Sequence, residues 1–163
     1  MLSKTLEGAI NDQIRDELYS SYLYLSMSAY FEANNMPGSA RWMRLQSEEE
    51  VSHAMKLFDY INDRGNRVVL QGIEQPPAEF ASTLDIFEKA LAHEQKVTGL
   101  INSIYQLAVK ENDYPTQIEL QWFITEQVEE EKSAGDIVDQ LKMVGDHRPS
   151  LIMLDRALGA RQG

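Results

Sequence analysis

The stretch Gln46–Lys56, QSEEEVSHAMK, places an acid and a histidine where the surrounding pattern calls for leucines. Alternating steps of three and four through residues 39–64 trace Met43, Gln46, Glu50, His53, Leu57 and Tyr60, the seam that a bundle helix turns toward its neighbours. The same stepping gives Ile10, Ile14, Glu17, Ser21, Tyr24, Ser28 and Phe31 in the first periodic segment. In the third it gives Phe87, Ala90, Glu94, Val97, Ile101, Ile104 and Ala108, and in the fourth Leu120, Phe123, Gln127, Glu130, Ala134, Ile137 and Leu141. Each seam is apolar at its ends and carries acid near its midpoint.

Turn signals separate these segments. Helices are predicted over residues 6–33, 39–64, 83–111 and 116–144, with a shorter fifth over 150–158. NNMPG, Gly65, NDYP and Gly145 punctuate them, and Thr116-x-x-Glu119 reads as a capping box. The stretch RVVLQGI is the one segment that passes for short extended chain. Short links make antiparallel hairpins of segments one and two and of three and four. The linker 65–82 is long enough, at ~3.3–3.6 Å per extended residue, to run the length of a 27-residue helix rising ~1.5 Å per residue. The expected fold is therefore an all-α four-helix bundle with one long crossover and a short C-terminal fifth helix.

The polar seam residues repeat. Glu17 to Glu50 and Glu94 to Gln127 are both 33 residues apart; Glu17 to His53 and Glu94 to Glu130 are both 36. The two hairpins thus bring their polar side chains to one level in a pseudo-twofold arrangement. Four carboxylates meeting in an apolar bundle repel one another and each loses several kcal/mol of hydration, in rough terms. Protonation relieves part of this, whereas two divalent cations balance Glu17, Glu50, Glu94 and Glu130 charge for charge. Glu50 and His53, at i and i+3, share a helix face and can chelate. Oxygen-rich ligation with one imidazole fits iron or manganese better than structural zinc. Hard anionic donors favour Fe³⁺ over Fe²⁺, so such a site eases oxidation of ferrous ion by dioxygen or peroxide.

Composition agrees. The 163-residue chain is 43% apolar, enough for one sizeable core in one domain spanning 1–163. With no cysteine, disulfides, thiolate metal sites, iron–sulfur clusters and cysteine nucleophiles are excluded, and a metal must bind oxygen or nitrogen. A net charge of −11 disfavours nucleic-acid binding and favours cations as partners. MLSKTLEGAI lacks the apolar core of a signal peptide, and no run approaches the ~20 apolar residues of a membrane span, so a cytoplasmic protein without membrane contact is expected.

ELYSSYLYLSMSAYF from Glu17, EEEVSHAMK from Glu48, HEQKVT around Glu94 and EQVEEEKSAGDIVDQL from Glu126 closely resemble the non-haem ferritins of bacteria and archaea. The resemblance covers essentially the whole chain and implies a ferritin-like fold with an intrasubunit di-iron ferroxidase centre. It implies that Glu17, Glu50 and His53 hold one iron, that Glu50, Glu94 and Glu130 hold the second with Glu50 bridging, and that Gln127 lies near the oxygen chemistry. Tyr24 matches a family tyrosine that hydrogen-bonds the centre and donates an electron. A third iron site would use Glu49, Glu126, Glu129 and Glu130.

The resemblance also implies iron storage: Fe²⁺ oxidised by O2 or H2O2 and deposited as ferric oxyhydroxide in a hollow cage, usually of 24 subunits. In ferritins the short fifth helix gathers around fourfold axes. Haem is not expected, because Val51 follows Glu50 where haem-binding relatives have methionine, and Gln127-Val-Glu-Glu130 replaces a second E-x-x-H. Gln117 and Leu120 stand where animal ferritins line threefold pores with acids. His93 and His147 fall off the seams and are expected at the surface; Trp42 and Trp122 are expected to be packing groups.

Overall fold

A computed structural model describes all residues, 1–163. Five helices follow one another: α1 (Lys4–Ala33), α2 (Pro37–Asp63), α3 (Thr83–Lys110), α4 (Tyr114–Val144) and α5 (Arg148–Gly159). There is no strand, and RVVLQGI lies in irregular chain. The boundaries sit within about two residues of the sequence reading, and local chemistry explains the differences. Ser3 accepts a hydrogen bond from the Leu6 amide at 3.1 Å and starts α1 earlier than its first apolar seam residue. Pro37 opens α2 at a position where its missing N–H costs nothing. The expected capping box at Thr116 is corrected: Asp113 caps α4 by accepting from the Thr116 amide at 3.0 Å. The turns after α1 and α3 place Asn35 and Asn112 at φ 57° and 56°, the left-handed conformation that asparagine tolerates better than most residues.

The crossover, residues 66–82, tracks α1 from end to end. Asn66 accepts from the Leu2 amide, Val69 N–H donates to Asn11 Oδ1, Gln71 donates to Asp12, and Ser26 donates to the Pro77 carbonyl. Increasing crossover number thus matches increasing α1 number. The linker returns the chain to the end where α1 finishes, so α1 and α4 run one way and α2 and α3 the other.

Two apolar clusters fill the bundle. One holds Met27 and Phe31 of α1, Trp42 and Met43 of α2, Phe87 of α3 and Leu141 of α4. The other holds Ile10 and Ile14, Leu57 and Ile61, Ile101 and Ile104, and Leu120 and Phe123. On every long helix the acidic seam residue lies between the members of these two clusters, so one polar layer separates two apolar halves.

Each end of the bundle is fastened. At one end Arg64 of the α2 C-cap pairs with Asp113 through two contacts of 2.8 Å. This pairing holds the Asp113 carboxyl well below the usual carboxylate range. At the other end α5 docks on the start of α2, where buried Asp155 accepts from Gly38 N, Ser39 N and Ser39 Oγ at 3.0, 2.7 and 2.7 Å. A carboxylate at a helix N-terminus both caps it and complements its dipole. The contact requires glycine: a Cβ on Gly38 would lie 1.7 Å from the Asp155 carbonyl oxygen.

Candidate metal centre

The polar layer is built by side chains from all four long helices, each at the depth its seam dictates. Glu17, Glu50, His53, Glu94, Gln127 and Glu130 are all buried, none more than 7% exposed. Glu17 and Glu50 and the imidazole of His53 offer ligand atoms within 4.8 Å of one another. His53 Nδ1 lies 3.2 Å from Glu50 Oε2. A second set, His53, Glu126 and Glu130, meets the same separation, with Glu126 half-buried.

The carboxylates are held by neutral donors. Gln13 Nε2 donates to Glu17 Oε1 at 2.9 Å, and Gln46 Nε2 donates to Glu130 Oε2 at 2.5 Å. The Tyr24 hydroxyl donates to Glu94 Oε1, while Gln127 Nε2 donates to Glu94 Oε2 at 3.1 Å. No lysine or arginine pairs with Glu17, Glu50, Glu94 or Glu130. Glu17 Oε2 is the one buried side-chain oxygen or nitrogen with no hydrogen-bond partner. Leaving such an oxygen unmet costs ~1–3 kcal/mol, more for a charged group, and a cation beside Glu50 and His53 removes that cost.

Electrostatics point the same way. Burial, then the Glu50 charge, raises the Glu17 carboxyl well above its ordinary value. Burial, then Glu94 and Glu130, does the same to Glu50. Burial raises Glu94 too, and burial followed by Glu94 lifts Glu130 to about 7. Burial, then Glu94, also raises the Tyr24 phenol, which keeps its proton on the hydroxyl facing that carboxylate. Carboxylates that resist ionising alone ionise readily around a divalent cation, and the apolar layers on both sides make that attraction strong.

The structure assembles the expected residues unevenly. Glu17, Glu50 and His53 form a ready cluster, while Glu94 lies in the same layer with both oxygens already hydrogen-bonded. Glu49 is half-buried and Glu129 exposed. Glu49 is engaged by Arg161 from the C-terminal segment, a contact the sequence did not signal. Gln13, four residues before Glu17, was also missed, although its place on the widened inner face of α1 was legible.

His93 corrects the surface expectation. It is half-buried against Tyr19 and Tyr24, with Nε2 2.7 Å from Ser20 Oγ, and burial pushes its imidazole down to about 4. His147 is exposed as expected. Trp42 packs on Phe87, but Trp122 is 40% exposed and sets its ring 5.4 Å from that of His53.

A polar layer of this composition inside a four-helix bundle defines a carboxylate-rich metalloprotein class, and comparison with known proteins agrees. The Ferritin-like domain family matches residues 7–144. The bacterial non-heme ferritin of Bacteroides fragilis is 42% identical over 99% of this chain and 100% of its own length. That of Campylobacter jejuni is 40% identical over 96% and 93%. Crystal structures of an open pore ferritin from the hyperthermophilic archaeon Archaeoglobus fulgidus superpose with a TM-score of 0.98 at 45% identity, over 99% of this chain and 100% of theirs. A form of that ferritin engineered to be closed also gives 0.98 at 45% identity, over 99% of each chain. The chain belongs to the ferritin family, whose work is iron storage.

Proposed function

We propose that this ferritin oxidises Fe²⁺ to Fe³⁺ in its polar layer and stores the product as ferric oxyhydroxide in a hollow cage of 24 chains. The observation that carries the first part is the unpartnered Glu17 Oε2 beside Glu50 and His53. On this reading Glu17, Glu50 and His53 bind one ferrous ion, and Glu50, Glu94 and Glu130 bind the other, Glu50 serving both. Each Fe²⁺ gives one electron to O2 or H2O2, and hard carboxylate donors favour the ferric product. Tyr24 orients Glu94 and stands as an electron donor; Gln127 orients the same carboxylate from α4. Glu49, Glu126, Glu129 and Glu130 bind a third ion, and the closeness of Glu126 to Glu130 supports a path from the buried pair outward.

Assembly is supported by apolar surface that one chain leaves bare. Val69, Leu70 and Ile73 of the crossover are 55%, 67% and 42% exposed, and Ile152 and Met153 of α5 are 54% and 71% exposed. No helix is long and apolar enough to cross a membrane, and self-association is the reading these bare residues favour.

Aerobic ferrous loading, followed by size-exclusion chromatography with metal analysis, tests both parts. Fast oxidation with many irons per chain in a large assembly is expected. A small oligomer retaining two metals per chain would instead identify a freestanding di-iron enzyme.

A further inference from the structure

Residue Arg161 lies beyond α5, yet it reaches back to the polar layer. Its Nη2 donates to Glu49 Oε2 at 2.5 Å and its Nη1 to Gln46 Oε1 at 2.9 Å. The guanidinium also stacks over the Trp42 ring, 4.7 Å from the centroid. Gln46 passes the contact inward, because its Nε2 donates to Glu130 Oε2. Arg161 and Glu49 border a cleft of about 170 Å³ that also includes Leu45, Glu48, Ser52 and Gly163.

A guanidinium has donors only, whereas a glutamine amide has a donor end and an acceptor end that can exchange places. With Arg161 at one side of Gln46, the amide oxygen must face outward and the amide nitrogen must face Glu130. Without it the amide can turn over and present its oxygen to a carboxylate. We infer that Arg161 is a positioning residue for the buried centre: anchored by Glu49 and Trp42, it fixes the Gln46 amide and thereby the Glu130 carboxylate.

The inference rests on the proposed binding of metal by Glu130, and it has a consequence of its own. Glu49 touches nothing in the buried pair, but it anchors the residue that sets Gln46. A cation that draws on Glu49 loosens Arg161, so occupancy near the surface and geometry at Glu130 are linked, and by reciprocity metal at Glu130 affects the C-terminal anchor. Lysine cannot substitute, because a single ammonium lacks the planar fork that meets Glu49 and Gln46 together.

Calorimetric titration of the metal-free assembled protein with Zn²⁺, a redox-inert probe, tests this through a double-mutant cycle. Arg161→Ala is expected to weaken the second, Glu130-side ion by about 10-fold, the scale on which residues orienting metal ligands act, while the first ion is unchanged. Gln46→Leu is expected to do the same, and the two together no more than either alone. Arg161→Lys does not rescue; Glu49→Gln, which leaves Trp42 and Gln46 in place, gives a weaker effect in the same direction. Independent, additive losses would overturn the inference, as would an unchanged second affinity in Arg161→Ala or, if that variant fails to assemble, in Glu49→Gln. Failure of the unsubstituted protein to bind a second Zn²⁺ would instead count against the two-ion centre itself.

Discussion

The two hairpins of the bundle contribute equivalent positions to the polar layer and fill them differently. In the repeat, Glu17 corresponds to Glu94, Glu50 to Gln127 and His53 to Glu130. The α1–α2 hairpin supplies two carboxylates and an imidazole already within 4.8 Å, with one oxygen unmet. The α3–α4 hairpin supplies Glu94, whose two oxygens accept from Tyr24 and Gln127, and Glu130, which accepts from Gln46. Both halves are held by neutral donors, Gln13 on Glu17 among them, but only the first leaves a buried carboxylate oxygen unmet. On the proposed two-ion reading, this scaffold offers metal positions of unequal readiness, and the glutamine at the place equivalent to Glu50 contributes to the inequality.

The sharpest way to break this comparison is to alter Glu50 and Gln127 in parallel. Glu50→Ala, which on the proposed reading removes the carboxylate common to both ions, is expected to slow the initial aerobic Fe²⁺ oxidation by at least about 100-fold, the upper end for groups that merely support ligands. Glu50→Leu is expected to raise metal-free stability by about 1–4 kcal/mol in denaturant unfolding, because an apolar group replaces a buried carboxyl crowded by other carboxylates. Gln127→Leu, at the equivalent place, is expected to cost only about 10-fold in the same oxidation assay. Equal losses from both positions would remove the asymmetry.

A smaller effect is expected at the link between the hairpins. Tyr24→Phe deletes the hydroxyl that α1 donates to Glu94 and leaves the ring in its apolar cluster. Stopped-flow oxidation is expected to slow several-fold, about 3–10-fold, with the first-bound Zn²⁺ affinity unchanged.

The smallest expected effect is in the pH dependence of stability. Glu130 titrates near 7 in the folded protein against an ordinary value of 4.5. Between those values the folded metal-free chain binds the extra proton, so Glu130's contribution is full below pH about 4.5 and is lost as pH rises through about 7. Glu17, Glu50 and Glu94 are shifted in the same direction. In chelator, raising the pH from about 5 to about 8 is expected to lower Tm more in the unsubstituted protein than in Glu130→Gln, by a few degrees. Saturating Zn²⁺ is expected to reverse the difference, since metal binds the deprotonated carboxylates.

Much of this was legible because seams are periodic. Glu17, Glu50, Glu94 and Glu130 interrupt apolar stripes at places where only a buried residue fits, and the linker's length alone implied a crossover. His93 escaped the same logic: the inner face of α3 is wider than a single seam, and small Ser20 on α1 leaves room for an imidazole one position off it. Asp113 and Thr116 both carry capping chemistry, and only the backbone direction decides that Asp113 does the capping. Arg161 lies past the last helix, where no period exists, and its partners Glu49 and Gln46 are more than a hundred residues away. Contacts of that kind are fixed by how α5 docks through Asp155, which local sequence does not encode.

Anomalous diffraction at the iron edge, from crystals soaked in Fe²⁺ without oxygen, tests the central claim most directly. Two peaks in the layer are predicted, the stronger between Glu17, Glu50 and His53 and the weaker beside Glu130, sharing Glu50. Iron found only on surface acids, with the buried carboxylates still held by Gln13, Gln46, Gln127 and Tyr24 alone, would contradict it.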